Sequence, residues 1–151
     1  MAFTQNTLAT LPKQPQIGSI AIANGDAQGQ KAAFTPGSSG SKVVAIIATS
    51  SDTSSRDIQV SRNNGGALAS GTVTGGTFYP LGTKTVAANA GFVAGTNAVN
   101  LLDPANIVGL PVDNDGNPYL FLGAGDFLTF EALTTVTVGK NVTISVIYAD
   151  F

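Results

Sequence analysis

The densest group of potential ligands in the sequence is Asp113-Asn114-Asp115-Gly116-Asn117, where carboxylate and amide oxygens alternate around a glycine that permits a sharp turn. Oxygens spaced this way match the middle of a calcium-binding loop. The match stops at both ends. With Gly116 in the sixth position, Pro111 takes the first and Leu122 the twelfth, where such a loop needs an Asp and a bidentate Glu. The competing reading of Asp113 and Asp115 is a polar turn held by Asx hydrogen bonds ahead of a strand at Tyr119, and it is the preferred one. Asp113 and Asp115 are the one calcium candidate in the chain, and no cofactor is expected.

Other chemistry is excluded by residue type or by spacing. Histidine and cysteine are absent, which removes the commonest general base, the thiolate nucleophile and most zinc sites. Two carboxylates could still cleave a glycoside, but the nine acidic residues mostly sit beside turn residues. Asp126 and Glu131 lie five positions apart and so face opposite sides of a regular strand. Gly65-Gly66 and Gly75-Gly76 lack the strand-loop-helix frame of a phosphate cradle and read as turns. Asn141-Val142-Thr143 fits a glycosylation triplet, but it falls inside an expected strand and reads as chance. No enzyme is expected.

Composition narrows the partners. Charged residues make up 11% of the chain and apolar ones 43%, with a net charge of −2. That is too apolar for a disordered chain and leaves much of the surface to Ser, Thr, Asn, Gly and Ala, which oppose association weakly. Lys13, Lys31, Lys42, Arg56, Arg62, Lys84 and Lys140 are scattered, so no footprint for nucleic acid is expected. No segment approaches the roughly 20 apolar residues of a membrane span, and Met1 to Gln14 lacks the pattern of a secretion signal. The expectation is a soluble protein without a membrane partner.

The elements that must carry these residues are short β-type runs divided by Gly, Asn, Asp and Pro clusters. Gln16 to Ile22 is the first, turned by Asn24-Gly25-Asp26, and Lys31 to Phe34 the second. Lys42 to Thr49 follows, with Val43, Val44, Ile46 and Ile47 suggesting burial on both faces. Asp57 to Ser61 alternates around Ile58 and Val60, and Asn63-Asn64-Gly65-Gly66 turns the chain. Between Ala67 and Ala94 the strands should be short or at an edge, because Pro80 interrupts a ladder. Asp103-Pro104 predicts a single helical turn over 103–108 ended by Gly109. Tyr119 to Leu122, Asp126 to Leu133 and Asn141 to Tyr148 complete the set. Gly139-Lys140 suits a hairpin turn into the last strand, and a longer connection from Thr134 serves equally. The fold class is all-β: one jelly-roll-like β-sandwich over 16–151, preceded by an N-terminal arm over 1–15.

Aromatic residues Phe121, Phe127, Phe130 and Tyr148 lie in or next to the C-terminal strands and by default belong to the core. Phe127 and Phe130 point to opposite faces of a regular strand, so one of them should meet another sheet, a further subunit or a sugar.

The order Val99-Asn100-Leu101-Leu102-Asp103-Pro104, Gly109-Leu110-Pro111, Gly116-Asn117-Pro118-Tyr119, then Val136-Thr137-Val138-Gly139-Lys140-Asn141-Val142 and a terminal Asp150-Phe151 resembles a group of small tailed-phage head-associated proteins. The resemblance covers residues 99–151. It implies a virion structural role, as a capsid decoration or cement protein bridging major capsid subunits, often as a homotrimer, with no catalytic residues. The alternative from a different class is a sugar- or cell-surface-binding β module, and a tail or fibre component is a variant of the virion reading.

Overall fold

Alternation of apolar and polar side chains becomes strands throughout the described residues of the computed structural model, 14–26 and 30–151. The strands are β1 (Gln16–Ala23), β2 (Ser41–Ser50), β3 (Arg56–Asn64), β4 (Ala67–Ala69), β5 (Thr72–Thr74), β6 (Thr77–Val86), β7 (Val99–Asn100), β8 (Leu120–Leu122), β9 (Asp126–Ala132) and β10 (Asn141–Asp150). A five-stranded sheet runs β1-β10-β2-β7, with β8 also on β2; a three-stranded sheet runs β6-β3-β9, and β4 pairs with β5. The sheets pack over one main core, so the chain is the all-β sandwich that its turn spacing predicts. The expected arm falls outside the described residues except for Gln14 and Pro15, which lead directly into β1.

β10 is the axis of that core. Its Val142, Ile144, Val146 and Tyr148 all point inward and are buried, as their period of two requires. Tyr148 stacks on Phe34, ring centroids 3.9 Å apart. Ile58 and Val60 of β3 and Leu128, Phe130 and Ala132 of β9 close the core from the other sheet. Each large side chain buried this way stabilises the fold by about 2 kcal/mol. Leu101 and Leu102, just beyond β7, are also fully buried, and the Leu101 N–H donates to the Ile46 carbonyl at 2.8 Å.

Two bulges correct the sequence reading. On β2, Val43 pairs with Tyr148 and Ala45 with Ile147, which leaves Val44 as an extra residue. The phase of the strand therefore shifts: Ser41 and Val43 are inward before the bulge, and Ile46, Ala48 and Ser50 after it. The Val-Val-Ala-Ile-Ile run is thus half-buried with a register shift, not buried on both faces, and Val44 is 45% exposed. On β6, Val60 pairs with Gly82 and Ser61 with Pro80, so the break at Pro80 sits at a bulge of an edge strand. The edge position is as expected, and on that edge β6 runs for ten residues, while β4 and β5 are short.

Further differences concern connections. Lys31 to Phe34 forms no strand: Lys31 makes isolated bridges to Thr72 and Phe130, and Ala32 and Phe34 plug the cores. The Asp103 cap forms, with Oδ1 accepting from the Ala105 N–H at 2.9 Å and the Ile107 N–H reaching the Asp103 carbonyl at 2.8 Å, but residues 103–108 close as a turn and not as a helix. The one described helical segment is instead a 3-10 turn at Asn24–Asp26. Gly139 sits at positive φ in a turn on a connection that crosses between the sheets, so β9 and β10 are not a hairpin. The pairs β2–β10 and β3–β9 are nested in sequence and lie in opposite sheets, the wiring that begins a jelly roll; β6 and β8 then join β3 and β2, leaving sheets of unequal size.

Candidate interaction surface

The Asp113 loop is a self-contained turn. Asp113 Oδ1 accepts from the Asp115 and Asn117 N–H groups at 3.0 and 2.8 Å, and the Asn117 side-chain amide adds a bond to each carboxylate oxygen at 3.3 Å. The Asn117 and Asp115 amides hold the Asp113 carboxyl below its ordinary range. Oδ1 is therefore taken up by three of the loop's own donors, and Oδ2 by one. Asp115 contributes its amide to this turn, and its carboxylate lies on the exposed rim. Among the described residues no group of three or more His, Cys, Asp or Glu side chains comes together.

The remaining acids tie the fold together. Asp26 pairs with Lys31, Asp52 with Arg56, Asp126 with Arg62 and Asp103 with Lys84. Burial pushes the Asp52 carboxyl up, but bonds from Arg56, Thr137 and Ser54 outweigh it and hold the group far below its ordinary range. Asp126 behaves alike, burial being outweighed by Arg62, Asn64 and the Gly123 N–H. Glu131 accepts from Gln30, so Asp126 and Glu131 serve separate networks on opposite faces of β9. Asp150 anchors the Gly37 N–H and the Ser41 hydroxyl.

With these charges engaged elsewhere, the outer face of the larger sheet is left almost uncharged. Register builds it from three distant segments: Ile17-Ile147-Ala45, with Val44 bulged beside them, then Ser19-Ser145-Ile47, then Ala21-Thr143-Thr49. Lys42 and Phe121, paired across β2 and β8, form the next row. Lys42 is the one ionisable side chain of these rows, and its Nζ lies 4.3 Å from the Tyr119 ring centroid. Ile17 is 70% exposed and Phe121 54%.

Phe121 therefore leaves the core role expected of it and joins a surface cluster, 5.0 Å from Tyr119 and 5.6 Å from Phe151 between centroids. The rings incline by 66° and 48°, so they present no common plane. Phe127 and Phe130 do face opposite ways, but both are buried. Phe130 lies in the main core, and Phe127 packs with Ala32 and Val73 under the β4–β5 hairpin. The second face of β9 is covered by this chain itself.

No family model matches the chain, and no curated protein matches it. No described helix is long and apolar enough to cross a membrane.

Proposed function

We propose that this chain is a non-enzymatic structural protein of a tailed-phage particle that decorates the capsid and works by laying its uncharged sheet face against major capsid protein. The observation that carries this reading is the set of Ile, Val, Ala, Ser and Thr rows on the outer face of the larger sheet, with Lys42 turned onto Tyr119. A charged face would have to shed its hydration on docking, whereas this one gives up little on meeting another protein. The resemblance of residues 99–151 supplies the setting. Added contact across subunit seams makes shell opening less favourable, and several attached faces per assembly multiply the effect. The test is to incubate purified head shells lacking the protein with the full chain, sediment them, and heat them. Binding with delayed disruption supports the proposal; shells that neither bind it nor gain heat resistance remove it.

A second reading, a sugar-binding module, draws on the exposed Tyr119, Phe121 and Phe151 cluster. Their inclined rings offer a sugar one ring face at a time, against the broad stacking surface such modules use. Saturable binding in a glycan screen that Phe121→Ala abolishes supports this reading; a flat screen in both calcium and chelator removes it.

A further inference from the structure

The long edges of the two sheets are finished differently. β6, the outer strand of the smaller sheet, carries Pro80 at its bulge and Lys84, both of which deter pairing by another strand. The far side of β9 meets Lys31, whose N–H and carbonyl exchange bonds with Phe130 at 2.9 and 2.7 Å. On the larger sheet, β7 and β8 are only two and three residues long. β1 has none of these devices. Its eight residues include no charge and no proline, its register with β10 is unbroken, and among the described residues no backbone group of residues 16–22 bonds on the side away from β10.

Hydrogen bonds at the end of β1 fix which main-chain groups face that edge. Asn141, opposite Ala23, sends its N–H to Ser51 Oγ and receives the Ser51 N–H on its carbonyl, both toward β2. Ala23 and Asn141 are thus a non-hydrogen-bonded pair, and the Ala23 N–H turns away from β10 to Asp26 Oδ2 at 2.9 Å. Because main-chain groups alternate sides along a strand, Ile17, Ser19 and Ala21 also direct their N–H and C=O groups to the open edge.

We infer that this edge pairs with β1 of a second copy, antiparallel, with Ser19 opposite Ser19 on a twofold axis. Ile17 then faces Ala21, and the outward groups of all three residues are used, giving about six hydrogen bonds. Sliding the register by two residues enlists either the Ala23 N–H, already held by Asp26, or Pro15, which has none. Sliding it by one sets outward side chains against inward ones. Pairing also places two uncharged outer faces side by side. One face covers on the order of 400 Å² by strand spacing, and two approach the roughly 800 Å² that a partner contributes to a standard interface. The symmetry is twofold, where the phage-head resemblance implies a trimer, and the pairing would hold with or without a virion role.

Light scattering during size exclusion of the full chain reads the pairing directly. The expected mass is twice the 15.2 kDa of one chain. Ser19→Pro removes an outward N–H and keeps every main-chain bond to β10, losing there only the exposed Ser19–Ser145 hydroxyl bond at 2.9 Å, and Ser19→Lys sets like charges across the axis; both should run as monomers with unchanged circular dichroism. Hydrogen exchange gives an independent signature: the amides of Ile17, Ser19 and Ala21 protected in the wild type and fast in Ser19→Lys, with Gly18 and Ile20 protected in both. A wild-type monomer or trimer, a Ser19→Lys variant that still pairs, or fast exchange at 17, 19 and 21 in the wild type overturns the inference.

Discussion

Asp52 and Thr137, 85 positions apart, are joined twice: the buried carboxylate accepts from the Thr137 N–H at 2.9 Å and from its hydroxyl at 2.7 Å. Asp52 lies between β2 and β3 and Thr137 between β9 and β10, so one carboxylate fastens two of the connections that cross from sheet to sheet at this end of the sandwich. Arg56 completes the clamp through its bond to Asp52 at 2.7 Å and its reach to Thr134 and Thr137.

Removing that charge strands Arg56 and leaves the Thr137 donors with a poorer acceptor. Asp52→Asn should cost about 3 kcal/mol, the usual scale for breaking one side of a buried ion pair. Chemical denaturation checks this, and Asp57→Asn, on an exposed residue, is the control that should stay within about 0.5 kcal/mol.

The same groups set the pH dependence. Asp26, Asp52, Asp103, Asp113 and Asp126 all have folded-state values below the ordinary one. Their contribution is complete above the unfolded-state value of about 4 and is lost as pH falls through the depressed folded-state values. With no histidine in the chain, the melting temperature should be flat from about pH 6 to 8 and fall steadily below about pH 4.5. Thermal melts across that range read both limbs. In Asp52→Asn the acid limb should be shallower.

Val44 is the surplus residue of the β2 bulge, so deleting it keeps Val43 and Ile46 on the inward side, whereas deleting Ile47 turns half of β2 inside out. The Val44 deletion should fold with a loss of about 1 kcal/mol. The Ile47 deletion should not give a cooperative melt. Equal behaviour of the two deletions would show that the bulge does not set the phase.

Because the Asp113 carboxylate is bound to Asn117 and to its own loop, millimolar calcium should shift the melting temperature by less than a degree, and chelator likewise. Asp113→Ala should lower the melting temperature slightly through the lost Asx bonds. A calcium-dependent rise in melting temperature that Asp113→Ala abolishes would restore the metal reading.

The sandwich was legible because its strongest signal is local. Val142, Ile144, Val146 and Tyr148 state their face by period alone, and so do Ile58 and Val60. The bulge at Val44 was not, since two adjacent valines before two isoleucines look the same whether a strand is buried twice or shifted once. Phe121 was misplaced for a related reason: alternation tells which residues share a face, and only packing tells which face is the core. The outer face had no local signature at all, because its rows draw on β1, β2 and β10, and the register that aligns them is a property of the sheet. An unusual share of uncharged positions in those three strands, at Ile17, Ser19, Ala45, Ile47, Thr143 and Ser145, was the available hint.

That face carries the functional account, and lysine scanning tests it most directly. Ile47→Lys and Ile147→Lys each place a charge at the middle of the outer face without entering the core, so both should keep the wild-type melting temperature within a few degrees. Affinity for purified head shells, measured by co-sedimentation, should fall at least about tenfold for each, the effect of roughly 1.4 kcal/mol, while Asp57→Asn on the other sheet binds as the wild type does. Shell binding that ignores lysines at 47 and 147 contradicts docking through this face.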